Sequence, residues 1–293
     1  MEESLEKKLE EKKTLYERHY KKMTAISLSV LIIFIIIIIL HYAESGELFK
    51  KDISLTGGTV ITLNGEYAKG ILEAELKKYT DSYVVKYARD TYSGKVIATI
   101  AEAKIDEQKA KEIVDALNVS DYSIETTSSS LGKNFFRQLM LALIVAFVFM
   151  ALVVFVIFRT FIPSMAVILA AFTDIVGAIA IIDLLGISIG TGGIAALLML
   201  IGYSVDTDIM LTTRVLKRRT SPLSERVIGA LKTGLMMSGT AIVATFLAYI
   251  FSTSSVLKEI FLILSIGVAI DIFSTWVGNA GIITWYVKKK YGE

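Results

Sequence analysis

Residues 23–40 carry no charge and include five successive isoleucines at 35–39. A helix rises 1.5 Å per residue, so a run of this length and apolarity suits a hydrocarbon layer about 30 Å thick. That segment alone restricts the chain to folds that satisfy their backbone hydrogen bonds within lipid. Further charge-poor runs at 135–158, 163–185, 191–211, 232–251 and 259–287 bring the expected spans to six. The chain is 54% hydrophobic, yet it holds 31 Lys and Arg against 29 Asp and Glu. So much charge cannot lie in lipid, so it must be sorted into other segments. With no cysteine, disulfides, thiolate metal sites and cysteine nucleophiles are excluded. No metal or cofactor is expected, and no basic stripe interleaved with aromatics points to nucleic acid.

The charges fall where a membrane protein would put them. Residues 1–22 read as a polar helical arm with Glu3/Lys7 and Glu17/Lys21 spaced i,i+4. The arm, Arg159, the cluster Arg214, Lys217, Arg218, Arg219 and Arg226, and the tail Lys288, Lys289 and Lys290 all flank one set of span ends. The alternate loops, 186–190 and 252–258, hold at most one cation, Lys258. Positive flanks accumulate in the cytoplasm, so both termini are expected there and the chain in the cell membrane. The expected divisions are a cytoplasmic arm (1–22), span one (23–43, an uncleaved anchor), an extracytoplasmic domain (44–133), a five-span domain (134–287) and a cytoplasmic tail (288–293).

Within 44–133 the pattern predicts a strand at 58–64, a helix at 68–79 with Ile71, Leu72, Leu76 and Tyr79 on its apolar face, and strands at 83–87 and 95–101 around Ser93-Gly94. A helix at 107–117 behind an Asp106 cap and a strand at 122–127 complete βαββαβ. That order predicts a small α+β, ferredoxin-like unit. It carries no histidine cluster, paired carboxylates or phosphate loop, so a binding or coupling module is expected rather than an enzyme. Gly57-Gly58, entering a strand, suggests a close backbone approach or a bulge.

The informative residues are acids inside the apolar runs, because a charge at mid-membrane costs roughly 2.5 to 3.5 kcal/mol. Asp174 and Asp271 fall near the middle of their spans, while Asp206 and Asp208 lie in the inner third of span four. Two residues apart on a helix, the latter pair point about 200° from each other, so both meet one site only if the helix is distorted near Gly202. These four acids are candidates for a proton relay. The other reading is structural, with Thr173, Tyr203, Ser204, Thr207 and Thr240 available as hydrogen-bond partners. Asp183 is expected to be solvated. An intramembrane aspartyl protease is disfavoured because Asp206 follows Gly-Tyr-Ser-Val rather than Gly-x-Gly. Glycines such as Gly177, Gly202, Gly234, Gly239, Gly267, Gly278 and Gly281 are expected to let helices pack closely.

One span, an outer domain and five more spans is the half-repeat plan of resistance-nodulation-division transporters. In detail the chain resembles the SecF family of protein-export membrane proteins. Leu55-Thr56-Gly57-Gly58-Thr59 is similar to that family's F-T-G-G-T element, and the stretch 201–209 (IGYSVDTDI), followed by Arg214, is similar to its I-G-Y-S-I-N-D-T-I signature. The resemblance implies a SecD-like partner subunit, association with the SecY channel complex, and help to exported unfolded polypeptides, with coupling to proton flow in bacterial relatives. Thr207 stands where that pattern has its acid, flanked by Asp206 and Asp208, and Ser54 replaces the acid of the first motif. The family's span-five cation would fall at Lys232 or Thr233. These departures look archaeal. A half-transporter of lipids or small hydrophobic molecules, and a purely structural partner of the channel, are the alternative readings.

Overall fold

The computed structural model describes residues 2–89, 93–217 and 221–292, with side chains from residue 18 onward. The proposed pairs Glu3/Lys7 and Glu17/Lys21, and Arg218 and Arg219, lie outside that description. Helix α1 (Glu2–Ser45) runs unbroken from the polar arm through the first span. No glycine or proline interrupts it before Gly46, whose φ is +73°, so hydropathy changes where helix geometry does not.

A short helix, α2 (Ile53–Thr56), then begins under the Asp52 side chain, which accepts from the Ile53 amide at 2.6 Å. Strand β1 (Gly58–Asn64), helix α3 (Lys69–Lys77), strands β2 (Tyr83–Arg89) and β3 (Val96–Ala103), helix α4 (Glu107–Ala116) and strand β4 (Tyr122–Thr127) follow. The four-stranded sheet has the order β2-β3-β1-β4, with every neighbouring pair antiparallel. Strand β1 is central, and its inward positions Thr59, Ile61 and Leu63 are fully buried. Ile61 and Leu63 pack with Leu72 and Leu76 of α3 and with Ile113 and Val114 of α4. Each of these large side chains contributes about 1.5 to 3 kcal/mol by burial. Ile71 and Tyr79 do not join that face, being 60% and 37% exposed. The helix ends two residues before Tyr79, and at 100° per residue Ile71 falls beside Leu72 rather than in line with Leu76. Asp106 caps α4 by accepting from Lys109 N at 2.9 Å, which holds its carboxyl below the usual range.

Five further spans form the membrane body: α5 (Ser129–Phe158), α6 (Phe161–Leu184), α7 (Thr191–Lys217), α8 (Leu223–Phe251) and a broken sixth span. That last span consists of α9 (Ser255–Phe273), a π turn (Ser274–Asn279) and α10 (Ala280–Tyr291). Helix α5 begins six residues before its apolar run, where Ser128 Oγ accepts from Leu131 N. Helix α8 likewise starts just after Pro222, nine residues before 232. Polar first turns belong to these helices, although hydropathy leaves them out. Of the apolar clusters that result, one, including Leu197, Leu200, Ile263 and Val268, lies toward the α+β domain, and another, including Leu211, Val215, Val227 and Ile283, lies toward the termini.

The outer domain is seated by its two chain connections. Gly57 has φ +82°, and a Cβ there would come within 2.4 Å of Ser129 Cα. Of the two readings of Gly57-Gly58, a close approach or a bulge, Gly57 shows the first, where the strand entry crosses the start of α5.

Candidate functional site

Helix α7 places Ser204 and Asp208 four residues apart on one buried face, with Ile201, Thr207 and Leu211 around them. Asp174 comes from α6 and Asp271 from the end of α9, and all three acids have no solvent exposure. Ser204 Oγ and Ser274 Oγ both donate to the Asp174 carboxylate, the second at 2.5 Å. Thr275 Oγ1 lies 3.0 Å from Asp208 Oδ1 and 3.1 Å from Asp271 Oδ1, bridging the two. Asn279 Nδ2 donates to Asp208 Oδ1 at 2.6 Å. Three spans are thus joined by one polar network between those two apolar clusters.

The π turn makes this network possible. On an α-helix, residues 274, 275 and 279 would spread over about 140° of arc. The wider i→i+5 winding narrows that spread to about 80°. Ser274, Thr275 and Asn279 can then all face Asp174 and Asp208. The helix distortion that would let both acids face one site is absent, since α7 stays regular at Gly202, which faces open space. Asp206 accordingly points away from Asp208 and is exposed. The structure gathers Asp174, Asp208 and Asp271 and leaves Asp206 apart.

Other expected partners are placed differently. Of the five hydroxyls named from sequence, only Ser204 bonds an acid. Thr173 and Thr240 return to carbonyls of their own helices, Thr207 Oγ1 is buried without a partner, and Tyr203 is half-buried. Arg214 reaches α8, donating to Gly229 O at 2.8 Å and Thr233 Oγ1 at 2.9 Å. It therefore ties α7 to α8 rather than neutralising the acids. Lys232 is exposed. Thr59 Oγ1 donates to Ile105 O at 2.7 Å, so the Gly57-Gly58-Thr59 motif organises the outer domain. A Cβ at Gly239, like one at Gly202, would meet no neighbour within 4 Å, whereas Gly177, Gly234, Gly267, Gly278 and Gly281 do seat other helices. Asp183 is not solvated. Its side chain is 9% exposed and pairs with His41 Nδ1 at 3.0 Å, linking α6 to α1.

Among the described residues no cation is hydrogen-bonded to Asp174, Asp208 or Asp271, whose donors are neutral hydroxyls and an amide. Asp208 Oδ2, Asp271 Oδ2 and Asn279 Oδ1 are buried without a hydrogen-bond partner. Adjacent buried carboxyls with no counter-ion cannot all hold charge cheaply. Free carboxyl oxygens beside reorientable hydroxyls are the chemistry needed to accept and pass protons.

A second acidic contact, without a signal in the sequence, lies within the α+β domain, between neighbouring strands of its sheet. Glu102 of β3 is 11% exposed and pairs with Lys86 Nζ at 2.9 Å. Burial first, and then the neighbouring Asp52 carboxyl, push its pKa up despite Lys86. The folded protein therefore holds this proton more tightly than the unfolded chain. Its stabilising effect is complete below the ordinary glutamate pKa of about 4.3 and is lost as pH rises through the raised value. Thermal melts of Glu102→Gln are expected to lose this part of the parent's pH dependence. Unchanged pH dependence would show that Glu102 does not cause it.

The fold and site define a polytopic membrane protein with a small α+β domain and a set of carboxyls held inside its helical bundle. Residues 106–289 match the family model described as protein export membrane protein SecD/SecF, C-terminal. The SecF protein of Pyrococcus furiosus is 39% identical over 292 residues, covering 97% of both chains. That of Methanolacinia petrolearia is 37% identical over 273 residues, covering 92% of this chain and 94% of the relative. Among solved structures, SecDF of Thermus thermophilus, described as a translocon-associated membrane protein, superposes with a TM-score of 0.73 at 21% identity. The match covers 92% of this chain and 38% of that one. The chain belongs to the SecF family of protein-export membrane proteins.

Proposed function

We propose that this chain is the SecF-like subunit of the export machinery, working beside a SecD-like subunit and the SecY channel, and that Asp174, Asp208 and Asp271 take up and release protons to drive its cycle. The observation that carries this reading is the convergence of three buried acids from three spans on one hydroxyl and amide network that, among the described residues, holds no hydrogen-bonded cation. Arg214, Lys217, Arg226 and Lys288 to Lys290 favour cytoplasmic termini and an extracytoplasmic domain spanning about 44–133. Its strand order fits a split βαβ, ferredoxin-like module, suited to holding an emerging unfolded polypeptide rather than to catalysis.

Asp206 supports a partner on the opposite face of α7. It is exposed in a span, with the exposed Gly202 one turn before it and the exposed Met199 a further turn back, and α8 also leaves Met236, Thr240 and Val243 exposed. A carboxylate turned to lipid costs roughly 2.5 to 3.5 kcal/mol, which a neighbouring subunit offering a donor would offset. The SecDF structure extends well beyond the part this chain matches, which accords with a SecD-like subunit there.

The test is purification from native membranes in mild detergent. SecD-like and SecY proteins should accompany the parent chain, and their absence would contradict the assignment. Gly202→Trp and Gly239→Trp point into open space, so folding should persist while recovery of the SecD-like subunit falls about tenfold or more, equivalent to roughly 1.4 kcal/mol. Parent-level recovery would show that this face meets lipid.

A further inference from the structure

Between α1, α6 and the π turn lies a cavity of about 10 Å³, roughly the room one water molecule needs. Its polar lining comes from Thr24 and Ser27 of α1, Thr173 of α6, and Ser274 and Asn279 of the π turn. An empty cavity of this size would be expected to be apolar, whereas a water needs two to four polar partners. Two of the lining side chains also touch the acids. Ser274 Oγ donates to Asp174, and Asn279 Nδ2 donates to Asp208. The remaining oxygen of Asn279, Oδ1, is unpartnered, and the residue is 1% exposed.

On the α1 side, glycines hold the hydroxyls close. A Cβ at Gly278 would come within 2.5 Å of Ser27 Oγ, and one at Gly281 within 2.4 Å of Thr24 Oγ1. Thr24 and Ser27 are three residues apart, on one face of α1, and Thr24 Oγ1 donates to Tyr20 O a turn nearer the N-terminus. The Tyr20 ring lies under Lys288 Nζ at 5.3 Å, which places this end of α1 beside the C-terminal turn.

We propose that this cavity is a water site connecting the acid cluster to the end of the bundle that carries both termini. The inference rests on the proton-exchange reading and adds a route to it. A proton arriving on the Thr24 side binds the water, the water passes a proton to Ser274 Oγ, and Ser274 passes its own to Asp174 Oδ1. Every transfer breaks one O–H bond and forms one. Asn279 Oδ1 accepts a hydrogen bond from the water and holds it in place. The π turn thus does two tasks, presenting donors to the acids on one side and lining the water site on the other.

The test combines a map and a rate. A high-resolution structure of the intact protein should show ordered density in this cavity within hydrogen-bonding distance of Asn279 Oδ1. Thr24→Val combined with Ser27→Ala removes two hydroxyls without adding bulk, and should abolish that density. In vesicles holding the assembled complex, the same variant should slow proton uptake about tenfold or more while its melting temperature stays near the parent's. An empty cavity in the parent, or parent-rate uptake by the double variant, would overturn the water site. Density in the cavity with no proton uptake by the parent complex would instead support the water site and overturn the proton-exchange reading, so the two failures are distinguishable.

Discussion

Asp174→Asn is expected to leave the six-span fold intact while reducing the proton-dependent part of export by at least about tenfold. The variant keeps the shape and one acceptor oxygen, and the Ser274 hydroxyl can rotate to accept from the new amide, so the network stays satisfied. What is lost is the titratable proton. Asp208→Asn and Asp271→Asn should behave alike, because Thr275 bridges those two acids. Asp206→Asn should retain proton-dependent export, since Asp206 lies on the other face of α7. Asp174→Leu is a different experiment. It leaves two buried serines without their acceptor, each costing about 1 to 3 kcal/mol, and should lower stability as well as export. Export assays in inverted vesicles, with and without a proton gradient, separate these outcomes. Normal proton-dependent export by all three Asn variants would remove the relay and leave a structural role.

The second large effect is expected at the junction of the outer domain. Gly57→Ala puts a methyl 2.4 Å from Ser129 Cα and 2.6 Å from Ser129 N, at φ +82° and ψ 154°. Neither obstacle can rotate away, because both are backbone, and the conformation is one that residues with a Cβ rarely adopt. A loss of about 2 to 4 kcal/mol follows, concentrated where β1 enters and α5 begins. Hydrogen exchange should show α2 and the first turn of α5 losing protection together, with the acid cluster little changed. Gly70→Ala, on the open face of α3, is the control, since a Cβ there has no neighbour within 4 Å. Equal protection in both variants would mean that the crossing at Gly57 is looser than its geometry implies.

How far the sequence reveals this molecule depends on the range of the physics involved. Span number follows from local hydropathy, and the six runs do correspond to six long apolar helices. The outer-domain strands at 58–64 and 122–127 are bounded as the residue pattern predicts, because alternation and turn residues are local signals. Helix ends were less legible. Polar first turns such as Ser129 to Asn134 and the continuous arm of α1 carry no hydropathy signal, although their hydrogen bonding continues the helix.

The site was legible in part, for the same reason. An acid in an apolar run stands out by its cost, so Asp174, Asp208 and Asp271 are visible one at a time. Helical spacing separates Asp206 from Asp208, and the regular α7 settles which of the two turns inward. The donors were not anticipated. Ser274, Thr275 and Asn279 are unremarkable polar residues in the last run until the π turn brings them to one side, and that winding depends on packing against α1, α6 and α7. Asp183 was misplaced because depth in a span says nothing of a partner from another helix, and His41 lies far away in sequence. Arg214 belongs to the same class, since its carbonyl and hydroxyl acceptors are on α8.

The central claim is that the buried acids exchange protons, and an infrared pH titration of the carboxyl C=O stretch in the purified protein tests it most directly. The parent should show protonated-carboxyl absorption that changes reversibly with pH, and Asp174→Asn, Asp208→Asn and Asp271→Asn should each remove or shift part of it. A pH-dependent spectrum identical in the parent and all three variants would contradict the claim.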